Sequence, residues 1–253
     1  SKTKKAVLEE YEKDNTTPAK ILCQKSGYSF YNTSKFDLKE LLNDSEHIAA
    51  NFKSYINGFS ANIKEIIDNL SFSAEIDKMD KNNRLLGVIK DFSNLDLNPE
   101  TISNHKMGYI FEDIIRRFSE NAEAGDHFTP REVIKLMVDV LLSEGSDDLM
   151  AAGKTVTILD AACGTGGMLS TARDAILKMN PDADIQLFGQ EVNPESYAIC
   201  LADMMIKGQN ANNIKFQDTM IKDSFEATVN KPEQKMRYVI MNPPFGQPWG
   251  GKD

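Results

Sequence analysis

Apolar positions in the first half of the chain recur at helical spacing. Between Phe36 and Phe59 they fall at Phe36, Leu38, Leu41, Leu42, Ile48, Phe52, Tyr55, Ile56 and Phe59. Steps of three and four dominate, which puts these side chains on one face of a helix. Asp37 can cap the first piece, and Gly58 can help end the second. Ile63, Ile66, Ile67 and Leu70 repeat the pattern, and so do Leu85, Leu86, Ile89 and Phe92. Asn98-Pro99-Glu100 joins a capping side chain, a first-turn proline and an acid. That predicts a helix start ahead of Tyr109, Ile110, Ile114, Ile115 and Phe118. No segment alternates as a strand would. Residues 1–124 therefore predict an all-helical domain.

The pattern changes after Gly125. Thr129-Pro130-Arg131-Glu132 reads as a capping box with proline in the first turn, followed by Val133, Ile134, Met137, Val138 and Leu141 at helical spacing. Thr155–Asp160 is a short apolar run that ends in an acid and a glycine-rich turn. A helix pattern runs on from Leu169 to Met179. Ile185–Phe188, Ile214–Phe216 and Tyr238–Met241 are three further strands, and Asn193-Pro194-Glu195 starts the helix between the second and third. Strands alternating with helices predict a parallel α/β sheet with right-handed crossovers over residues 125–253.

Composition adds exclusions. Of the 253 residues 41% are hydrophobic and 26% charged, ordinary for a globular protein. No apolar run approaches the roughly 18 residues of a transmembrane helix. The amino-terminal SKTKKAVLEEYEKD has no apolar core of a secretory signal. Cys23, Cys163 and Cys200 are too few and too scattered for a disulfide framework or a zinc site, and fit a reducing cytoplasm. The formal net charge is −9, of which −3 falls in residues 1–124 and −6 in 125–253. Neither half has the basic balance of an autonomous DNA clamp.

Candidate chemistry gathers at the ends of the strands. Asp160-Ala-Ala-Cys163-Gly164-Thr-Gly166-Gly167 joins a strand to a helix. Small residues there let backbone approach a ligand, and the helix start offers free N–H groups. Leu169 stands where the dinucleotide fingerprint needs its third glycine, and no Gly-Lys-Ser/Thr of a phosphate loop follows. A cofactor without a pyrophosphate fits better, with Asp160 able to pair with a cationic amino group. The plainer alternative is a tight turn without a ligand. Glu191, at the end of the second strand, can accept from both hydroxyls of a ribose. Asp218, just past the third, can accept from an adenine amino group or serve as a turn residue. Together the three acids occupy the carboxyl ends of successive strands, where open α/β sheets bind ligands.

Met241-Asn242-Pro243-Pro244-Phe245 follows the fourth strand. The two prolines restrict the backbone, so that the Pro243 carbonyl and the Asn242 side-chain oxygen can point at one spot. Two converging acceptors suit both protons of a planar amino group, and Phe245 offers a face for a ring. A base flipped out of its duplex matches that arrangement.

LDAACGTGGML (159–169) followed by NPPF (242–245) resembles the N6-adenine DNA methyltransferases. GYSFYNTSKF, YINGFS, SNHKMGYIFEDIIRRFSE, GDHFTPREVIKLMV, GQEVNPESYAICLADMMIKG and NPPFGQPWGG extend the resemblance over nearly the whole chain, to the modification subunit of type I restriction–modification systems. It implies a helical domain followed by a Rossmann-like fold that uses S-adenosylmethionine. By position, Phe128, Thr129 and Pro130 would lie near the methionine end of the cofactor, with Asp160 and the backbone around Gly164 and Gly166. Glu191 would take the ribose hydroxyls, Asp218 would lie near the cofactor adenine, and Asn242, Pro243 and Phe245 would grip the target adenine. GDHFTP departs from the family's commoner pattern, and His127 is expected to make a local loop contact rather than act as a base.

The resemblance implies direct methyl transfer to the adenine N6 amine, with no metal and no cysteine nucleophile. Its partners would be double-stranded DNA with a flipped adenine, a specificity subunit and a restriction subunit. The family's sheet has seven strands and four are readable here, so the chain is expected to be truncated at its C-terminus. It is expected to bind cofactor weakly and to be inactive alone. Two alternatives stand beside this reading: a methyltransferase acting on protein glutamine side chains, and a non-catalytic subunit-docking fragment.

Overall fold

A computed structural model describes residues 2–98, 100–121, 129–143, 147–151, 153–226 and 235–244. The chain divides into two compact units, Ser1–Ile102 and Ser103–Asp253. The sequence pattern placed the change of character near Gly125. The helix Asn104–Asn121 goes with the second unit because it packs against the helix Pro194–Ile206 that flanks the sheet. Lys207 closes this contact, with its ammonium 3.8 Å from Glu112 and 2.8 Å from Asp203. Periodicity reports that a segment is a helix but not which neighbours cover it.

The first unit is helical, as its periodicity predicts. Its helices are α1 (Lys2–Lys13), α2 (Ala19–Ser26), α3 (Leu38–Leu41), α4 (Ile48–Asn57), α5 (Ala61–Asn69), α6 (Phe72–Lys81) and α7 (Leu85–Ser93). Leu41, Ile48, Ile56, Ile76, Leu85 and Ile89 form its buried core, with Phe36, Phe52, Tyr55 and Phe72 packed around them. Asp37 caps α3 through a reciprocal box. Its carboxylate accepts from the backbone of Lys39 and Glu40, and Glu40 accepts from the Asp37 N–H. Gly58 does end α4, but its φ is −75°, so it is not a left-handed cap. It is a glycine because a Cβ would lie 2.6 Å from the Ser34 nitrogen.

The second unit has α8 (Asn104–Asn121) and α9 (Arg131–Leu142), then β1 (Thr155–Asp160), α10 (Gly167–Met179), β2 (Asp184–Glu191), α11 (Pro194–Ile206), β3 (Ile214–Phe216) and β4 (Tyr238–Val239). The sheet is parallel in the order β3-β2-β1-β4. Val156 and Ile158 of β1 and Leu187 of β2 are buried between the layers. Asn193 caps α11 by accepting from Ser196, with proline in the first turn, as the sequence predicts.

Two predicted helix starts come out differently. The Asn98 carbonyl accepts from Thr101 and Ile102 and closes a single turn. Helix α8 begins later, and Ser103 accepts from the Lys106 N–H through its hydroxyl. At α9 no side-chain cap forms and Pro130 is the boundary residue, so the Thr129–Glu132 box is not made. No described helix is long and apolar enough to cross a membrane.

Candidate functional site

Strand β1 ends at Asp160, which is fully buried between β2 and β4. One carboxylate oxygen accepts from the Ala162 N–H at 3.1 Å. The other has no partner among the described residues. Burial raises the Asp160 pKa to about 7, opposed by the Ala162 N–H and reinforced by the nearby Glu191 charge. A buried carboxylate oxygen without a donor is costly in its charged form. A cationic or N–H donor arriving at this strand end would relieve that cost, so Asp160 fits the ammonium group expected for it.

The turn that follows needs its glycines. Gly164 and Gly166 have φ of +53° and +86°, left-handed values that side chains with a Cβ disfavour. A Cβ on Gly166 would also lie 2.9 Å from the Cys200 sulfur. Close packing of the turn onto α11 thus excludes any larger residue. Cys163 is buried in the turn with its sulfur 4.0 Å from Cys200, and both thiols are free. The hydrogen bond with the Cys200 thiol, and then burial, hold the Cys163 pKa well above its usual value, which leaves it a poor nucleophile.

Glu191 ends β2 and bends back over this turn. One oxygen accepts from the Gly164 N–H at 2.8 Å, and the other accepts from Val192 at 2.9 Å and Asn193 at 2.7 Å. The acid that sequence reasoning assigned to a ribose therefore also fixes the shape of the glycine turn. A carboxylate has about four acceptor positions. Three are used here, and acceptor capacity remains for a hydroxyl. Asp218 lies past β3 and accepts from the Met220 N–H at 2.8 Å, so it shapes a turn at the strand end expected of it.

Sequence reasoning passed over Gln190. It is buried beside Glu191 and organises the segment that carries Asp218. Its amide donates to Thr219 and to the Lys222 carbonyl, and its oxygen accepts from Ser224. Thr219 in turn donates to the Ala161 carbonyl, tying that segment to the glycine turn. Strand β2 carries two amides, Gln186 and Gln190, and only the burial of Gln190 in the fold singles it out as a polar group that needs a partner.

Strand β4 pairs with β1, and the Ile240 N–H continues the ladder to the Leu159 carbonyl at 2.9 Å. This register delivers Asn242 and Pro243, both exposed, beyond the same sheet edge as Asp160. The Asn242 amide nitrogen donates to the Thr129 hydroxyl at 2.9 Å. Thr129 and Asn242 are thus brought together, although the sequence reading gave one to the cofactor and the other to the base. Pro130 sits next to them as the α9 boundary. Phe128, Phe245, Asp126 and His127 lie outside the described residues.

Comparison with known proteins identifies the family. Residues 102–253 match the family model described as N-6 DNA Methylase, and residues 1–92 match the HsdM N-terminal domain. The chain belongs to the N-6 DNA methylase family. It is 25% identical over 220 residues to the EcoEI type I restriction enzyme methylase subunit of Escherichia coli, covering 83% of this chain and 41% of that protein. It is 26% identical over 186 residues to the MjaIX methylase subunit of Methanocaldococcus jannaschii, covering 72% of this chain and 30% of that protein. A type I restriction–modification methyltransferase subunit from Streptococcus thermophilus shares the fold at a TM-score of 0.69 and 20% identity, over 96% of this chain and 51% of that one. The chain thus spans less than half the length of these two curated relatives.

Proposed function

We propose that this chain is the cofactor-binding part of a type I modification subunit that transfers a methyl group from S-adenosylmethionine to the N6 amine of adenine in DNA. The observation that carries the reading is the gathering of four features beyond one edge of the parallel sheet: buried Asp160, the left-handed glycine turn, Glu191 and Asn242-Pro243. When bound, S-adenosylmethionine supplies a methyl group on a positively charged sulfur. Asp160 receives its ammonium group, and backbone around Gly164 and Gly166 lies against the same end. Thr129 and Pro130, just ahead of α9, border that end, and the resemblance adds Phe128 to them. Glu191 accepts from the ribose hydroxyls, and Asp218 faces the cofactor adenine.

On the substrate side, Asn242 and the Pro243 carbonyl accept the two protons of the adenine amino group, and Phe245 stacks on the flipped base. The N6 lone pair is delocalised into the ring and is a weak nucleophile. Two acceptors favour a more tetrahedral nitrogen whose lone pair points at the methyl group. Holding the reacting atoms in line accounts for much of the rate. The net charge of −9 suits a subunit whose hold on DNA comes from assembly with a specificity subunit, and with a restriction subunit in the full complex. A reducing, cytoplasmic setting fits its three free thiols. A protein-glutamine substrate and a purely docking role are not favoured, because the matched models are a DNA methylase and an HsdM domain.

The test is Asn242→Ala in the assembled enzyme, with unmethylated genomic DNA and radiolabelled cofactor. Methyl transfer to DNA should be abolished, while calorimetry shows cofactor affinity within a few-fold of the parent. Lost cofactor binding, or label transferred to protein instead of DNA, would overturn the reading.

A further inference from the structure

The amide of Asn242 can help catalysis only if its oxygen, not its nitrogen, faces the substrate amino group. Asn242 is exposed, and an exposed asparagine is free to rotate among several rotamers and to flip its amide. Something must hold it. The Asn242 nitrogen donates to the Thr129 hydroxyl at 2.9 Å, and among the described residues the Asn242 oxygen has no partner. Thr129 precedes helix α9 and is placed by sequence to cap it, yet no side-chain cap is made there. Its hydroxyl goes to Asn242, 113 residues away.

We infer that Thr129 is a positioning residue for Asn242: its hydroxyl occupies the amide nitrogen and leaves the amide oxygen as the acceptor for the substrate amino group. This rests on the proposed adenine methylation and adds a role to a residue otherwise assigned to the cofactor. Pro130 makes the contact firm. Its ring fixes its own φ, its carbonyl accepts from Ile134 in the first turn of α9, and the residue before a proline is itself restricted. Thr129 therefore stands on a backbone with few alternatives. On the other side β4 is held to β1 by its ladder, and Pro243 follows Asn242 directly. Two stiff segments meet through one hydrogen bond, which is how a supporting residue holds a functional side chain in its productive geometry.

The inference separates hydroxyl from shape. Thr129→Val keeps the branched side chain and removes the hydroxyl, whereas Thr129→Ser keeps the hydroxyl and removes a methyl group. The first measurement is NMR relaxation of side-chain amides in the full chain labelled with 15N-asparagine. The Asn242 signals are identified by their loss in Asn242→Ala. In the parent and Thr129→Ser the amide should have an order parameter of roughly 0.8, falling below about 0.6 in Thr129→Val. The second is steady-state methylation of genomic DNA by the assembled enzyme. Thr129→Val should lower kcat about tenfold, a larger factor than any accompanying rise in the KM for S-adenosylmethionine, and Thr129→Ser should recover kcat to within about threefold. An Asn242 amide as ordered in Thr129→Val as in the parent overturns the inference. So does a Thr129→Ser enzyme as impaired as Thr129→Val, or a loss that falls wholly on the cofactor KM. If Asn242→Ala itself methylates DNA normally, the adenine reading fails, and the NMR result still decides whether Thr129 orders Asn242.

Discussion

The two units bury different things. In the helical unit the interior is aliphatic and aromatic, and its buried polar residues, Ser26, Ser34 and Ser60, use their hydroxyls to tie nearby backbone together. In the α/β unit the interior holds two carboxylates, Asp160 and Asp203, together with Asn180 and Gln190. Asp203 is compensated, since it accepts from Ser170 at 2.9 Å and from Lys207 at 2.8 Å. Asn180 donates to the Leu149 and Ala151 carbonyls. Asp160 keeps one oxygen without a donor among the described residues. Buried polar groups are ordinarily satisfied, so the open oxygen of Asp160 supports the proposal that a ligand donor meets it at this strand end.

The sharpest way to test that contrast is to damage each interior. Leu41→Ala should destabilise the helical unit by about 2–5 kcal/mol through lost burial and the cavity left behind. Hydrogen exchange should show the loss confined to residues 1–102, with cofactor affinity unchanged. Exchange that accelerates equally across both units would mean that they fold as one.

Asp160 separates function from stability through pH. Its folded pKa, about 7, is raised above the value of 3.8 expected of an exposed aspartate. Between these values the folded state binds more protons than the unfolded state, so stability should fall as pH rises from about 4 to 7. The slope should approach roughly 1.4 kcal/mol per pH unit near the middle of that window. Asp160→Asn should flatten this dependence in denaturant melts and weaken cofactor binding at the same time. A slope equal to that of the parent would show that Asp160 does not titrate there.

Gln190 gives a smaller effect of the same kind. Gln190→Ala removes three hydrogen bonds that hold the segment after β3, and should cost on the order of 2 kcal/mol. Calorimetry should also show weaker cofactor binding, because Asp218 lies on that segment. The smallest effect belongs to the helical unit again. Asp37→Ala removes the reciprocal cap of α3, worth about 1 kcal/mol in a thermal melt, and should leave methyl transfer untouched.

Much of this arrangement was legible as pattern. The helices Leu38–Leu41, Ile48–Asn57, Ala61–Asn69 and Leu85–Ser93, the strand Thr155–Asp160 and the cap at Asn193 follow from local rules, because spacing and capping act within a few residues. The acids at the strand ends were legible for the same reason: a parallel sheet puts every carboxyl end on one edge. The capping box at Thr129 does not form because the helix boundary falls one residue later, at Pro130, and the Thr129 hydroxyl accepts from Asn242 instead. Likewise Asn98 satisfies all the local requirements of a helix start, yet its turn closes at Ile102 and the helix begins after it.

By itself the sequence determined the class of fold, the identity of the glycine turn and the candidate residues, since these depend on residue type and short spacing. Only the tertiary structure decided three things. Helix α8 belongs with the sheet through Lys207, Glu191 braces the turn it was expected merely to flank, and Thr129 holds Asn242. Each is a contact between segments far apart in the chain, 95, 27 and 113 residues respectively. Such contacts depend on where packing of the apolar surfaces brings the backbone, and residue type and short spacing do not encode that position.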